Sequence, residues 1–215
     1  MKKLDEEKVA MYDEVVCLFI YWSRICMPDD LTLDEKKLLL DLARQALEHA
    51  VRGRMLPALD PTSLTPRLLE KGASFVTLTI GGDLRGCIGA LEPYQPLAED
   101  VREHAVAAGL QDYRFLPVQE QELAQINIEV SRLTLPEPLE YTSPEDLPAR
   151  LRPGVDGVIL RDGRQRATFL PQVWEKVPDP AEFLSHLCLK MGASPDLWRQ
   201  KHLEVLLYRV EEFHE

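Results

Sequence analysis

The residue types best suited to covalent chemistry lie in one short run, Leu-Arg-Gly-Cys-Ile-Gly at residues 84–89. An extended strand points successive side chains to opposite faces. Arg85, Cys87 and Gly89 are therefore predicted to share one face, with Leu84 and the intervening residues on the other. A cation beside a thiol favours the nucleophilic thiolate, and Gly89 is expected to leave space beside the sulfur. The alternative is a cysteine that only packs, since cysteine is often buried.

A nucleophilic Cys87 also needs a group that accepts its proton. No histidine lies inside the run, so a cysteine–histidine pair requires distant parts of the chain to meet. His104 and His186 lie on the helices predicted after two hairpins and are the candidates. The alternative is that each is an ordinary surface or partly buried helix residue.

Glu129 is the second candidate for chemistry. Apolar residues alternate through residues 126–130, which places Glu129 on the opposite, polar face of a predicted strand. Such a face usually contacts water. If Glu129 instead faces Cys87, it is expected to accept a proton or to pair with an arginine.

Asp112 and Arg114 are separated by one residue in a predicted loop. This spacing is typical of a local ion pair that fixes a turn, and the alternative is direct contact with a substrate. Arg164, Arg166 and Thr168 share one face of a later strand. That face could bind a phosphate or a short RNA segment, and the alternative is a solvated hairpin.

Composition limits the classes of function. The chain has 215 residues, 45% of them apolar, with a net charge of −11, which disfavours a large nucleic-acid or anionic-lipid interface. Its four cysteines form no Cys-x-x-Cys pair, so we expect reduced thiols in the cytoplasm. No apolar run is long enough to cross a membrane. No motif indicates a metal or a cofactor.

The periodicity of apolar residues predicts the elements around the cysteine run. Residues 5–27 are predicted to form a helix that docks on the domain or mediates self-association. A second helix covers residues 32–50 and ends at Gly53. A hairpin follows over residues 75–89, and a helix over residues 97–108.

A second unit repeats this order. Residues 157–170 are predicted to form a hairpin around an Asp-Gly turn, and helices follow to about residue 191. Gly109 and Gly192 are predicted to end the corresponding helices. Single strands are predicted at residues 126–133 and 204–210. The fold class is therefore α+β, with two antiparallel hairpin-plus-helix units and a weak internal duplication.

The cysteine run resembles the signature of the AMMECR domain family, whose bacterial and archaeal members are known as protein A of the AmmeMemoRadiSam system. Further matching segments occur in order across residues 31–213: 112–115, 128–131, 154–157 and 167–174. The resemblance implies a duplicated α+β domain at residues 31–215, divided into two subdomains at about residues 31–135 and 136–215, with a groove between them. Whether these halves intertwine is left open. Residues 1–30 would be an N-terminal helical extension.

The resemblance also implies partners, a Memo-like protein and a radical S-adenosylmethionine protein. The leading hypothesis is a cytoplasmic enzyme or enzyme subunit with Cys87 as nucleophile or carrier and Glu129 as base or orienting group. Arg85 would bind the thiolate or an anion. Gly86, Gly89, Asp112, Arg114, Arg166 and Thr168 complete the predicted substrate site. The alternatives are a peptide- or protein-binding module in which Gly86 and Gly89 admit a partner backbone, and nucleotide or RNA binding.

Overall fold

The structure, a computed structural model, describes residues 30–215. The helix and the self-association predicted for residues 5–27 lie outside the described residues. Within the described part of the chain, no helix combines the length and apolar character that a bilayer crossing requires.

The described residues form a mixed α+β fold, as the sequence predicts. The helices are α1 (Leu33–Val51), α2 (Pro66–Leu69), α3 (Leu97–Leu110), α4 (Leu147–Arg150), α5 (Pro180–Lys190) and α6 (Leu197–Gln200). The strands are β1 (Lys71–Ile80), β2 (Asp83–Gly89), β3 (Gln95–Pro96), β4 (Ile126–Leu133), β5 (Glu137–Pro138), β6 (Gly157–Asp162), β7 (Gln165–Phe169), β8 (Glu204–Tyr208) and β9 (Val210–His214). Short 3-10 helices cover residues 61–63, 120–125 and 171–175.

The first sheet has the strand order β2-β1-β4-β9, with the short strand β3 paired to the start of β1. All of its pairings are antiparallel. One face carries a continuous apolar core that includes Val76, Leu78, Ile128 and Val130. Helix α3 packs on β1 and β2, and α1 packs against α3 and β4. The opposite face of the sheet carries the predicted chemistry.

A bulge in the first hairpin decides which face each residue of β2 occupies. Leu84 pairs with Thr79, but Gly86 pairs with Leu78, so Arg85 is an extra residue without a partner on β1. A shift of one residue moves every later side chain to the other face of a strand. Leu84 therefore lies on the same face as Cys87, which corrects the prediction that it lies opposite.

The second sheet has the order β5-β8-β6-β7, and its pairings are also antiparallel. The predicted hairpin at residues 157–170 is confirmed as β6 and β7. Helix α5 covers this sheet through a core in which Phe183 stacks on Trp174, with ring centroids 3.7 Å apart. Gly192, with φ of 80°, follows α5 in the left-handed conformation that ends many helices.

The prediction of one strand at residues 204–210 is wrong, because the chain changes sheets at Arg209. Strand β8 pairs with β6 in the second sheet, whereas β9 pairs with β4 in the first. The Arg209 amide donates to Thr134 Oγ1 at 2.8 Å, and the Arg209 carbonyl accepts from the Thr134 amide at 2.9 Å. These two bonds satisfy the backbone at the crossing, so the first sheet is completed by the last strand of the chain.

Gly86 sets how closely α3 packs on β2, whereas Gly109 does not. A Cβ atom at Gly86 would overlap the main-chain carbonyl of Ala108, so only glycine lets α3 lie this close to β2. Gly109 does not end α3, which runs to Leu110 and thus corrects the prediction. It lies inside the helix, where a Cβ atom would overlap the tip of the Leu47 side chain and make ordinary contact with Leu78 and Val118.

We expect Gly86→Ala to lower the free energy of unfolding by about 2–3 kcal/mol, because backbone must move to admit the methyl group. The matched control is Gly109→Ala in the packed helix. It should change stability by less than about 1 kcal/mol, since Leu47 can rotate and alanine favours helix. Urea unfolding measures both variants. Equal effects would show that Gly86 does not set the spacing between helix and strand.

Candidate functional site

Four polar side chains form a row across the open face of the first sheet. Cys87 pairs with Thr77 on β1, Thr77 pairs with Glu129 on β4, and Glu129 pairs with His214 on β9. Adjacent strands lie about 4.8 Å apart, so Cys87 and Glu129 are separated by roughly 10 Å. The structure thus places the two predicted catalytic residues on one face, with Thr77 between them.

The Cys87 thiol is half-buried and accepts a hydrogen bond from Thr77 Oγ1 at 3.4 Å. Among residues 30–215, the Glu129 carboxylate forms no hydrogen bond or ion pair, although the residue is also half-buried. Sequence reasoning missed Thr77 and His214. The strand pairing that brings them to the row depends on the bulge and on β9, which no local pattern reveals.

Asp112 and Arg114 bind the backbone of Cys87. The Cys87 amide donates to Asp112 Oδ2 at 2.9 Å, and Arg114 Nη2 donates to the Cys87 carbonyl at 3.2 Å. Arg114 also donates to Asp112 from Nε at 2.9 Å and from Nη2 at 2.7 Å. The predicted local ion pair is present, and it reaches the candidate nucleophile. We call this arrangement of Asp112 and Arg114 the clasp.

The charges of the clasp stabilise each other. Hydrogen bonds from Arg114 hold the pKa of the Asp112 carboxyl well below its usual range, although burial opposes that shift. Asp112 in turn raises the pKa of Arg114, and the neighbouring Cys87 contributes to the same shift. The clasp therefore stays ionised at neutral pH, and its two charges largely offset each other.

Arg85 does not hold the position that strand alternation predicts. Its Nε and Nη2 atoms donate to the two carboxylate oxygens of Glu122 at 2.8 and 3.1 Å. This bidentate pair lowers the pKa of Glu122. The reason is the bulge, because Arg85 is its unpaired residue. Arg114, rather than Arg85, is the guanidinium bonded to Cys87.

The space beside each of the two glycines of the run is filled by other parts of the protein. The space in front of Gly86 is filled by α3, and a Cβ atom at Gly89 would overlap the Phe75 ring. The expected gap beside the Cys87 sulfur is thus closed at Gly89 by an aromatic ring. Neither glycine leaves room for a partner backbone.

Arg166 and Thr168 lie on the second sheet and have partners of their own. Arg166 forms a surface ion pair with Glu92. Thr168 lines a cleft of about 40 Å³ between the sheets, where its hydroxyl lies 3.0 Å from Tyr208 Oη. Burial raises the pKa of Tyr208 to about 12. Cys87 and Glu129 do not line this cleft.

The two candidate histidines do not pair with Cys87. His104 lies buried in α3, where Nδ1 is 3.2 Å from Asp100 Oδ2. Ser74 Oγ donates to the same oxygen at 2.6 Å, which makes this a buried link between α3 and β1. His186 lies at the surface of α5, with Nε2 3.7 Å from Glu182.

The second half of the chain borders the row. Phe75 lies two residues before Thr77 on β1, on the same face, and pairs with Gly89. Phe75 packs with Leu170 against a small core around Tyr208. Gln172 Nε2 donates to Glu212 on β9 at 2.7 Å. The row therefore lies on the face of the first sheet against which the second half packs.

The lowered pKa of Asp112 predicts how stability depends on pH. A carboxyl with a lowered pKa stabilises the fold above its ordinary value of 3.8 and loses this effect as pH falls. We expect Asp112→Asn to be less stable by about 2 kcal/mol at pH 7, and the difference to shrink below about pH 4. Urea unfolding across pH measures it, with the exposed Asp41→Asn as the charge control. A difference independent of pH would contradict the assignment.

Comparison with known proteins agrees with this architecture. The AMMECR1 family model matches residues 40–213. A protein from Methanothermobacter thermautotrophicus is 42% identical over 186 residues, covering 86% of this chain and 96% of that protein. One from Thermofilum pendens is 40% identical, covering 86% and 92%. The crystal structure of uncharacterized protein PH0010 from Pyrococcus horikoshii has a TM-score of 0.68 and 35% identity, covering 86% of this chain and 93% of that one. The chain belongs to the AMMECR1 family.

Proposed function

We propose that this protein is an enzyme, or a subunit of one, in which the Cys87 thiol is the nucleophile or covalent carrier. The observation that carries the proposal is the position of Cys87, half-buried on the open face, with Thr77 donating to its sulfur and the clasp bonded to its backbone. A cysteine that only packs resembles Cys188, which is 0% exposed and whose pKa burial raises.

In the proposed reaction, the thiolate attacks an electrophilic atom of the substrate and forms a bond from sulfur to that atom. The bond between that atom and its leaving group breaks, and the leaving group departs with the electron pair of that bond. The thiol proton passes to water when the thiolate forms. Glu129 lies about 10 Å away by strand spacing, beyond hydrogen-bond reach of the sulfur. Its proposed role is therefore to bind and orient the substrate.

The charges around the row indicate what kind of substrate fits. Glu122 neutralises Arg85, and Asp112 neutralises Arg114. Glu129 remains without a partner among the described residues. This balance disfavours an anionic ligand and favours a neutral or cationic one. We therefore propose an electrophile that carries a hydrogen-bond donor or an ammonium group about 10 Å from its reactive centre.

We further propose that the reaction takes place in the cytoplasm, where thiols remain reduced. The family resemblance supports a Memo-like protein and a radical S-adenosylmethionine protein as the partners. Co-expression with both, followed by intact-mass and peptide-mass measurement, should reveal an adduct on the Cys87 peptide that Cys87→Ser lacks. An unmodified Cys87, together with full system function in Cys87→Ser, would reject the covalent role.

A binding module is the second candidate, favoured by two exposed apolar residues beside the clasp. Tyr113 is 93% exposed and Leu116 is 84% exposed. In that case Tyr113→Ala and Leu116→Ala abolish partner binding, whereas Cys87→Ser leaves it intact. Addition of a partner strand at Cys87 is disfavoured, because the clasp already uses the amide and carbonyl of that residue.

We expect iodoacetamide to alkylate Cys87 at least about 100-fold faster than Cys188 in the native protein, because Cys188 must await local unfolding. Digestion and mass spectrometry at timed intervals give each rate separately. In urea, where the protein is unfolded, the two cysteines should react at similar rates. This control shows that the difference in the native state does not come from the local sequences of the two peptides. Equal protection of both cysteines in the native state would remove the basis for a nucleophilic role.

Charged thiosulfonates test the proposed substrate class. The measured quantity is the rate of modification by the trimethylammonioethyl reagent divided by the rate with the sulfonatoethyl reagent. We expect this ratio to be about threefold larger for Cys87 than for a small free thiol, because Glu129 attracts the cation. Glu129→Gln should reduce this preference, whereas Glu140→Gln, at an exposed position in the second half, should preserve it. The uncharged methyl reagent reports intrinsic reactivity. A preference for the anion would contradict the cationic class while leaving the nucleophile intact.

A further inference from the structure

Strand β2 lies at the edge of the first sheet, yet its backbone is not open to solvent at Cys87. In an antiparallel ladder, alternate residues point their amide and carbonyl groups away from the partner strand. Cys87 directs both groups outward, to Asp112 and Arg114. Edge groups of this kind usually bond to water or remain available for pairing. Here one carboxylate and one guanidinium take the place of a neighbouring strand.

We infer that Asp112 and Arg114 are positioning residues that fix the Cys87 backbone and balance the charge beside its thiol. The inference rests on the proposed function, because it assigns Cys87 as the reactive group. Neither residue is required to touch the substrate. Their action on Cys87 is direct, through one bond to its amide and one to its carbonyl.

The Asp112 carboxylate of the clasp is buried and fixed by its neighbours. The side chain of Asp112 is 2% exposed, and the Arg114 amide donates to its Oδ1 at 3.1 Å. The Phe115 amide donates to the Asp112 carbonyl at 3.0 Å, which closes the turn. Asp112 comes two residues after the end of α3, and α3 is held against β2 by the contact at Gly86. The position of the carboxylate thus follows from the packing of the helix.

The two charges act on the thiol in opposite directions. A guanidinium favours the thiolate, and a carboxylate disfavours it. Removing Arg114 leaves the carboxylate unopposed, whereas removing the charge of Asp112 leaves the guanidinium unopposed. A role in packing alone predicts something different, namely that both changes loosen the site and accelerate modification of Cys87 alike.

The test is the pH dependence of Cys87 alkylation by iodoacetamide, followed by peptide mass. We expect Arg114→Gln to raise the midpoint pH of the reaction and to slow it about tenfold at neutral pH, corresponding to about one pH unit. Asp112→Asn should shift the midpoint in the opposite direction. Arg114→Lys keeps the charge and should retain most of the wild-type profile. If Arg114→Gln does not fold, Asp112→Asn and the exchange measurement below still test the inference.

Hydrogen exchange of the Cys87 amide is the second readout, because that amide donates directly to Asp112. Arg114→Lys and Asp112→Asn should both accelerate it at least about tenfold relative to wild type. The matched control is the Arg152–Asp156 pair in the second half, in which Nε and Nη2 of the arginine also donate to the carboxylate, with Nη2 2.6 Å from Oδ1. Arg152→Lys should leave the Cys87 exchange rate and alkylation profile unchanged.

Shifts of the alkylation midpoint in the same direction for Arg114→Gln and Asp112→Asn would overturn the inference. So would an unchanged profile in both, or an equal effect of Arg152→Lys. These outcomes are separate from failure of the proposed function. Full system activity in Cys87→Ser rejects the covalent role even if the clasp variants behave as expected. Conversely, an unaltered profile rejects the clasp even if Cys87 carries an adduct.

Discussion

The bulge at Leu84–Arg85 is the constraint on which the site depends. At the turn, Ile80 pairs with Asp83. If that register continued without a bulge, Cys87 would pair with Val76, and its side chain would point to the core face. The extra residue instead pairs Cys87 with Thr77. The thiol thereby moves to the open face, and glycine at position 86 meets the helix. Bulges often occur beside functional sites because they re-aim a side chain in this way. Without the bulge, Cys87 would face the core and Gly86 would no longer meet the helix.

The residues of the cysteine run each contact a different element of the fold. Gly86 admits α3, and the position of α3 brings Asp112 to the Cys87 amide. Arg85, displaced by the bulge, binds Glu122 in the segment that leads into β4, the strand that carries Glu129. The run therefore connects three elements that are far apart in sequence. Its composition reflects these internal contacts as much as any contact with substrate, because both glycines and the arginine are already engaged.

The sequence was sufficient to predict the elements whose signals are local. Apolar spacing predicted α1, and local strand and turn signals, such as the Asp-Gly turn of the second unit, predicted both hairpins. The same local signals could not reveal the bulge, because nothing distinguishes Arg85 from a regular strand residue. They also could not reveal the change of sheets at Arg209, which depends on bonds to Thr134, 75 residues earlier. The spacing of Asp112 and Arg114 predicted their ion pair, but the bond to Cys87 is set by helix packing across 25 residues.

Because the chain changes sheets at Arg209, the candidate site combines strands from early in the domain, β1 and β2, with its last strand, β9. After β8 the chain leaves the second sheet, and β9 then pairs with β4 and supplies His214 to the row that begins at Cys87. The same strand carries Glu212, whose bond to Gln172 joins the first sheet to the segment after β7. The Glu129 end of the row is therefore linked through β9 to the second half. The thiol end of the row is held by the pairing of β2 with β1, by the clasp and by the contact of α3 at Gly86. Different parts of the fold therefore position the two candidate residues: the first hairpin, α3 and the clasp position Cys87, whereas β4 and the last strand position Glu129.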